Sequence, residues 1–89
     1  MNVVQIYTTR LCGYCVMAKR LLKSRGIEFT EIHVDGDWTR RQWLVEQTGQ
    51  QTVPQIFIHE QSIGGYDELS ALDRMGQLLP LINEGSTSR

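Results

Sequence analysis

This chain lacks most of what would tie it to a membrane, a nucleic acid or a structural metal. No apolar run in its 89 residues approaches the roughly 18 that a membrane-spanning helix requires. Charge of neither sign is in excess. The net value of −1 gives no reason to expect nucleic acid or an anionic membrane surface as the main partner. Met1-Asn2-Val3-Val4-Gln5 has neither the basic start nor the long apolar stretch of a signal peptide, so the chain reads as cytoplasmic. Repeats, low-complexity segments and internal linkers are missing, which leaves one domain over residues 1–83. Residues 84–89 read as a flexible polar tail. Cysteine is scarce, with only two in the chain. A tetrahedral structural zinc needs four ligands, and only His33 and His59 could add to the pair, without pair spacing. Both read as ordinary strand or turn residues.

What is present is concentrated in Cys12-Gly13-Tyr14-Cys15. Two residues three apart at the start of a helix share a face, and one turn brings their Cα atoms into the roughly 4.4–6.8 Å that a disulfide requires. In a reducing compartment such a pair is more often catalytic or metal-binding than a structural staple. Unpaired N–H groups and the positive end of the helix dipole stabilise a thiolate at Cys12. The thiolate is the nucleophile. Cys15 continues an apolar stripe with Ala18 and Leu22, so it reads as the buried, resolving thiol.

The rest of the chain supplies a frame. Val3 to Tyr7 is a β-rich run, and the segment from about Gly13 to Arg25 has helical spacing, with Gly26 as its C-cap. Ile27 to Val34 reads as a second strand whose alternation slips midway. Asp37 is an N-cap for a helix from Trp38 to Gln47 that ends near Gly49. Trp38 and Trp43 read as packing residues. Val53 to His59 and Gln61 to Gly64 form a hairpin through His59-Glu60. Asp67 opens a helix with Leu69, Leu72 and Met75 on one face, and Pro80 suits the first turn of a last short helix. The order β-α-β-α-β-β-α opens with a parallel, right-handed βαβ unit. It predicts an α/β fold: a four-stranded mixed sheet with helices on both faces.

At this point the chain resembles the glutaredoxin family of the thioredoxin superfamily. Tyr7-Thr8-Thr9-Arg10-Leu11-Cys12-Gly13-Tyr14-Cys15 is similar to the family's active-site segment. Thr52-Val53-Pro54 resembles its T-V-P element, followed by the strand Gln55-Ile56-Phe57-Ile58. Gly64-Gly65-Tyr66-Asp67-Glu68 resembles its G-G-x-D-[DE] element. The resemblance implies a thioredoxin-like fold and a glutathione-dependent thiol–disulfide oxidoreductase, acting on protein disulfides and protein–glutathione mixed disulfides, with glutathione as cosubstrate. It implies a cis peptide before Pro54 and places Tyr14, Arg41, Thr52, Val53, Pro54, Gly65, Tyr66 and Asp67 around glutathione, with Gln55 a weaker candidate. The expected state is a monomer.

Two positions depart from the family pattern. Thr9 stands where a lysine is common, and the charge falls one place later on Arg10, whose side chain points the other way in an extended segment. Gly13 stands where many dithiol members have proline. Some relatives without that proline hold a [2Fe–2S] cluster between two subunits through the first cysteine and glutathione. This keeps a cluster-binding carrier or sensor dimer, ligated through Cys12, open as the alternative.

Overall fold

The computed structural model describes residues 3–84. The elements run β1 (Val4–Thr8), α1 (Gly13–Ser24), β2 (Thr30–His33), α2 (Trp38–Thr48), β3 (Gln55–Ile58), β4 (Gln61–Gly64), α3 (Tyr66–Arg74) and α4 (Leu78–Glu84). Of the expected tail, residues 85–89 lie outside the described residues, and Glu84 ends α4. The sheet order is β2-β1-β3-β4. β1 pairs parallel with β2, from Gln5 opposite Thr30 to Thr8 opposite His33. It pairs antiparallel with β3, which forms a hairpin with β4. His59 and Glu60 both have positive φ, 52° and 66°, which suits the primed turn of a two-residue hairpin.

Alternation along β1 and β3 splits the core into two. Val4, Ile6, Ile56 and Ile58 face Ala18 and Leu22 of α1, Leu69 of α3 and Leu78 of α4. Tyr7 and Phe57 turn to the opposite face and pack with Val34 and Leu44 of α2. The slipped alternation of the second strand has its explanation here. Ile27 and Phe29 precede β2 and belong to the first cluster, whereas Ile32 and Val34 belong to the second.

Local signals set the helix ends. Gly26, with φ 70°, lies one residue past the cap Arg25. Gly26 N–H reaches the Lys23 carbonyl and Ile27 N–H the Leu22 carbonyl, each at 3.0 Å. These paired bonds close a Schellman motif, which requires the left-handed conformation that glycine adopts freely. Asp37 caps α2 by accepting from Arg40 N–H at 3.0 Å.

Three expectations need correction. α3 starts at Tyr66 with Gly65 as N-cap, so Asp67 is its second residue. Met75 lies beyond α3 and is exposed, because the helix has already ended at Arg74. Trp43 packs on Tyr7 and Phe57, but Trp38 is 74% exposed. Trp38 lies six residues from Leu44, roughly 120° around the helix from α2's buried position.

Candidate active site

The end of β1 delivers the cysteines. Thr8, fully buried, donates its hydroxyl to Glu31 Oε2 at 2.8 Å. Lys19 Nζ reaches the same oxygen at 2.8 Å and His33 Nε2 approaches it at 3.3 Å. Burial pushes the Glu31 carboxyl up, but the hydrogen bonds from Lys19 and Thr8 and the neighbouring positive charges outweigh it, and the net shift is downward. Two residues on, Arg10 N–H donates to Asp35 Oδ2 at 3.0 Å. The segment leading to Cys12 is thereby fixed to β2 and α1 on one side and to the start of the β2–α2 turn on the other.

Cys12 is the N-cap of α1, with extended backbone, and its sulfur accepts the Cys15 N–H at 3.1 Å. Cys12 and Cys15 are joined as a disulfide with Cα atoms 5.2 Å apart. Cys15 is 1% exposed and Cys12 is partly open to solvent. Neighbouring Leu11 is 99% exposed. The first turn of α1 carries no acidic side chain to oppose a thiolate. The α1 stripe therefore distinguishes the two cysteines as its spacing predicts: the accessible Cys12 accepts the Cys15 N–H, and Cys15 is buried.

Val53 bonds to Pro54 through a cis peptide, and the Val53 carbonyl oxygen lies 3.6 Å from Cys12 Sγ. Beside it runs a groove of about 590 Å³, bounded by Tyr14, Thr52, Val53, Pro54, Tyr66 and Asp67. Its far wall is the start of α3. A Cβ on Gly65 would stand 3.2 Å from the Pro54 carbonyl oxygen, so the two backbones approach closely there. Gly65 N–H is occupied, donating to Glu68 Oε1 at 2.8 Å. The first intrahelical donor of α3 is the Leu69 N–H, which bonds the Gly65 carbonyl, so the N–H groups of Tyr66, Asp67 and Glu68 precede the helix's own ladder.

Seven of the predicted residues, Tyr14, Thr52, Val53, Pro54, Gly65, Tyr66 and Asp67, come together on one groove beside Cys12, and the weaker candidate Gln55 also lines it. Arg41 lies outside that lining and donates from Nη2 to the Gln51 carbonyl at 3.2 Å. Gln55 is only 2% exposed, and its Nε2 donates to the Thr52 carbonyl at 3.0 Å. Thr9 is partly exposed. Sequence reasoning gave no role to Thr48, Gln50 or Glu68, which also line the groove. The Gly65-x-x-Glu68 spacing was the available signal for Glu68, since a glutamate three residues past a cap reaches back to the cap N–H.

Comparison with known proteins agrees with this geometry. The glutaredoxin family model matches residues 4–63. The chain belongs to the glutaredoxin family. It is 49% identical over 79 residues to glutaredoxin 3 of Escherichia coli K12, covering 89% of this chain and 95% of that one. It is 47% identical over 83 residues to a glutaredoxin of Pseudomonas aeruginosa, covering 93% and 99%. Among solved structures, a buckwheat glutaredoxin–glutathione complex superposes with a TM-score of 0.88 at 32% identity, over 98% of this chain and 83% of that one. A Brucella melitensis glutaredoxin does so at 0.85 and 41% identity, over 99% and 96%. The thioredoxin-like fold of glutaredoxins is thus the fold of this chain, and its cysteine pair is that of a thiol–disulfide oxidoreductase. Among the described residues no three His, Cys, Asp or Glu side chains group so as to hold a metal ion.

Proposed function

We propose that the chain is a glutathione-dependent thiol–disulfide oxidoreductase that reduces protein disulfides and protein–glutathione mixed disulfides. The observation that carries this reading is the placement of Cys12 Sγ 3.6 Å from the Val53 carbonyl, at the head of a groove that ends on the N–H groups of α3. An extended peptide laid along that groove can pair with the Val53 backbone as an added strand does. Its far end, if it carries a carboxylate and an ammonium, meets the α3 N–H groups and the Asp67 carboxylate. The γ-glutamyl end of glutathione carries both charges. The buckwheat relative, solved as a glutathione complex, supports the same reading.

In the reaction, Cys12 thiolate attacks the glutathionyl sulfur of a protein mixed disulfide. The protein thiolate leaves and takes a proton, and Cys12 holds glutathione in a disulfide. A second glutathione thiolate attacks that glutathionyl sulfur, giving glutathione disulfide and free Cys12. On a protein disulfide, Cys12 forms a mixed disulfide with the protein, and Cys15 displaces the remaining protein thiol. Two glutathiones then reduce Cys12–Cys15. Family potentials of about −200 to −230 mV lie near the cytosolic glutathione poise, which makes this reduction feasible.

One observation favours the alternative cluster-binding reading. Gly13 carries no side chain, and beyond its chain neighbours and its own helix backbone nothing comes within 4 Å of where a Cβ would lie, so the first turn of α1 is unshielded at that position. Cys12 from each of two copies and two glutathione thiolates would give the four sulfur ligands that a [2Fe–2S] cluster takes. A glutathione-coupled assay on a small mixed disulfide, with the visible spectrum recorded on the same anaerobic sample, tests both. Turnover in a colourless monomer supports the oxidoreductase. A coloured dimer without turnover replaces it with the cluster reading.

A further inference from the structure

We propose that Leu11, with Val16 and Met17 beside it, forms an apolar shelf that selects protein disulfides whose cysteine is flanked by an apolar side chain. Leu11 is the specificity-determining residue. The shelf lies outside the groove, whose lining includes none of the three. Its role rests on the Cys12 nucleophile of the reading above and is independent of glutathione.

Exposed apolar residues scattered singly need no explanation. Here they are gathered in one place. Leu11 immediately precedes Cys12 and is 99% exposed, and Val16 and Met17, in the first turn and a half of α1, are each 43% exposed. Farther along the helix the exposed positions are Arg20, Lys23 and Ser24, all polar. Leu11 and Val16 also occupy the two positions, just before the cap and four past it, whose apolar side chains ordinarily close on each other at a helix start. With Leu11 fully open that staple is not closed, and its apolar surface stays in water. The reaction brings a cover to it. Cys12 thiolate attacks one sulfur of the protein disulfide, the S–S bond breaks and the other sulfur leaves as thiolate. The substrate cysteine is then bonded to Cys12, with its Cα roughly 4.4–6.8 Å from the Cys12 Cα. The Leu11 Cα is about 3.8 Å from that same atom. A residue flanking the substrate cysteine therefore comes within side-chain reach of Leu11, and an apolar one takes the exposed leucine out of water.

The test uses the reduced protein in single turnover, without glutathione, against the symmetric disulfide dimers of two single-cysteine peptides. One peptide has leucine on both sides of its cysteine and the other has serine. Released peptide thiol is quantified after acid quenching. Each rate is divided by that of the same dimer with dithiothreitol, which cancels differences in peptide reactivity. The wild type is expected to favour the leucine dimer by ~3–10-fold, the range that covering part of a leucine supports. Leu11→Met, which keeps an apolar side chain, is expected to retain that preference. Leu11→Ser is expected to abolish it while leaving the serine-dimer rate and Tm unchanged, since so exposed a side chain holds nothing in place. Equal rates on the two dimers in the wild type would overturn the proposal, as would a preference that survives Leu11→Ser. Equal losses on both dimers in that variant would overturn it too, because Leu11 would then act on the sulfur. A wild type that reduces neither dimer would remove the Cys12 reading itself, and the proposal with it.

Discussion

Arg10 is turned to Asp35. Its backbone N–H donates to Asp35 Oδ2 at 3.0 Å, and its guanidinium Nε lies 3.6 Å from the same oxygen. The Arg10 backbone N–H is the main reason the Asp35 carboxyl is held below its usual range. The positive charge next to Thr9 is therefore directed to the loop anchor. It does not replace the lysine that the family commonly carries at the position of Thr9.

A charge test follows from that pairing. Arg10→Ala is expected to leave the Cys12 pKa within a few tenths of a unit, because an exposed ion pair held by Asp35 contributes little at a distance. Thr9→Lys is expected to lower it, since a cation beside the thiolate favours the charged form. Thiolate absorbance against pH, in a Cys15→Ser background, reads both. A rise of a full unit in Arg10→Ala would show that Arg10 serves the sulfur after all.

The two sulfurs predict different losses. Cys12, partly exposed and capping α1, is the nucleophile, so Cys12→Ser is expected to abolish reduction of every disulfide substrate. Cys15, at 1% exposure, reaches only a mixed disulfide already formed on Cys12. Cys15→Ser is therefore expected to keep deglutathionylation and lose reduction of protein disulfides. The measurement is a pair of steady-state assays on one preparation, one with each substrate type. A Cys12→Ser protein with full activity would end the assignment.

Much of this arrangement was legible in the sequence because its signals are local. Gly26, Asp37 and Gly49 mark helix ends within one turn, and the Cys12–Cys15 spacing fixes a shared face. Contacts across the sheet were not legible in this way. Thr8 meets Glu31 and Arg10 meets Asp35 only because β1 and β2 pair parallel in one register, bringing together residues 23 and 25 positions apart. The burial of Gln55 follows from the face it takes on β3, opposite Tyr7. Trp38 misled because α2 carries apolar side chains around much of its circumference, so periodicity alone did not say which of them would be covered.

The glycines at the head of α3 predict a separation of stability from binding. Gly64 has φ 112°, and a Cβ there would come within 2.8 Å of the Glu68 side chain. Gly64→Ala is strained by its backbone and also displaces the carboxylate that holds Gly65 N–H. A cost of about 1–3 kcal/mol is expected, a Tm loss of several degrees in a domain of this size. Gly65 has an extended φ of −102°, so alanine is not strained there, but its Cβ would press on the Pro54 carbonyl at 3.2 Å. Gly65→Ala is expected to leave Tm nearly intact while raising KM, because the groove floor must shift. Thermal melts beside the mixed-disulfide assay separate the two. Equal Tm losses without a change in KM would show that the close approach at Gly65 matters only to folding.

Acid should weaken the anchors of the Cys12 segment before it reaches the core. The carboxyls of Glu31, Asp35 and Asp73 all lie below their usual values in the folded chain. For Glu31 the pull of Lys19, Thr8 and His33 exceeds the upward push of burial; for Asp35 the Arg10 backbone dominates; for Asp73 the Arg25 guanidinium, 2.7 Å away, dominates. A carboxyl whose folded pKa is depressed binds its proton more readily when unfolded. Its contribution is therefore complete above the ordinary carboxylate values of about 3.9–4.3 and is lost as pH falls through the folded value. Tm is thus expected to hold from about pH 7 to 5 and to fall below about pH 4. Glu31→Gln keeps an acceptor for Thr8 but removes the charge facing Lys19. It should melt lower at pH 7 and fall less steeply in acid. Calorimetric Tm between pH 2 and 7 decides this. If Glu31→Gln matches the wild type across that range, the Glu31 charge facing Lys19 contributes nothing to stability.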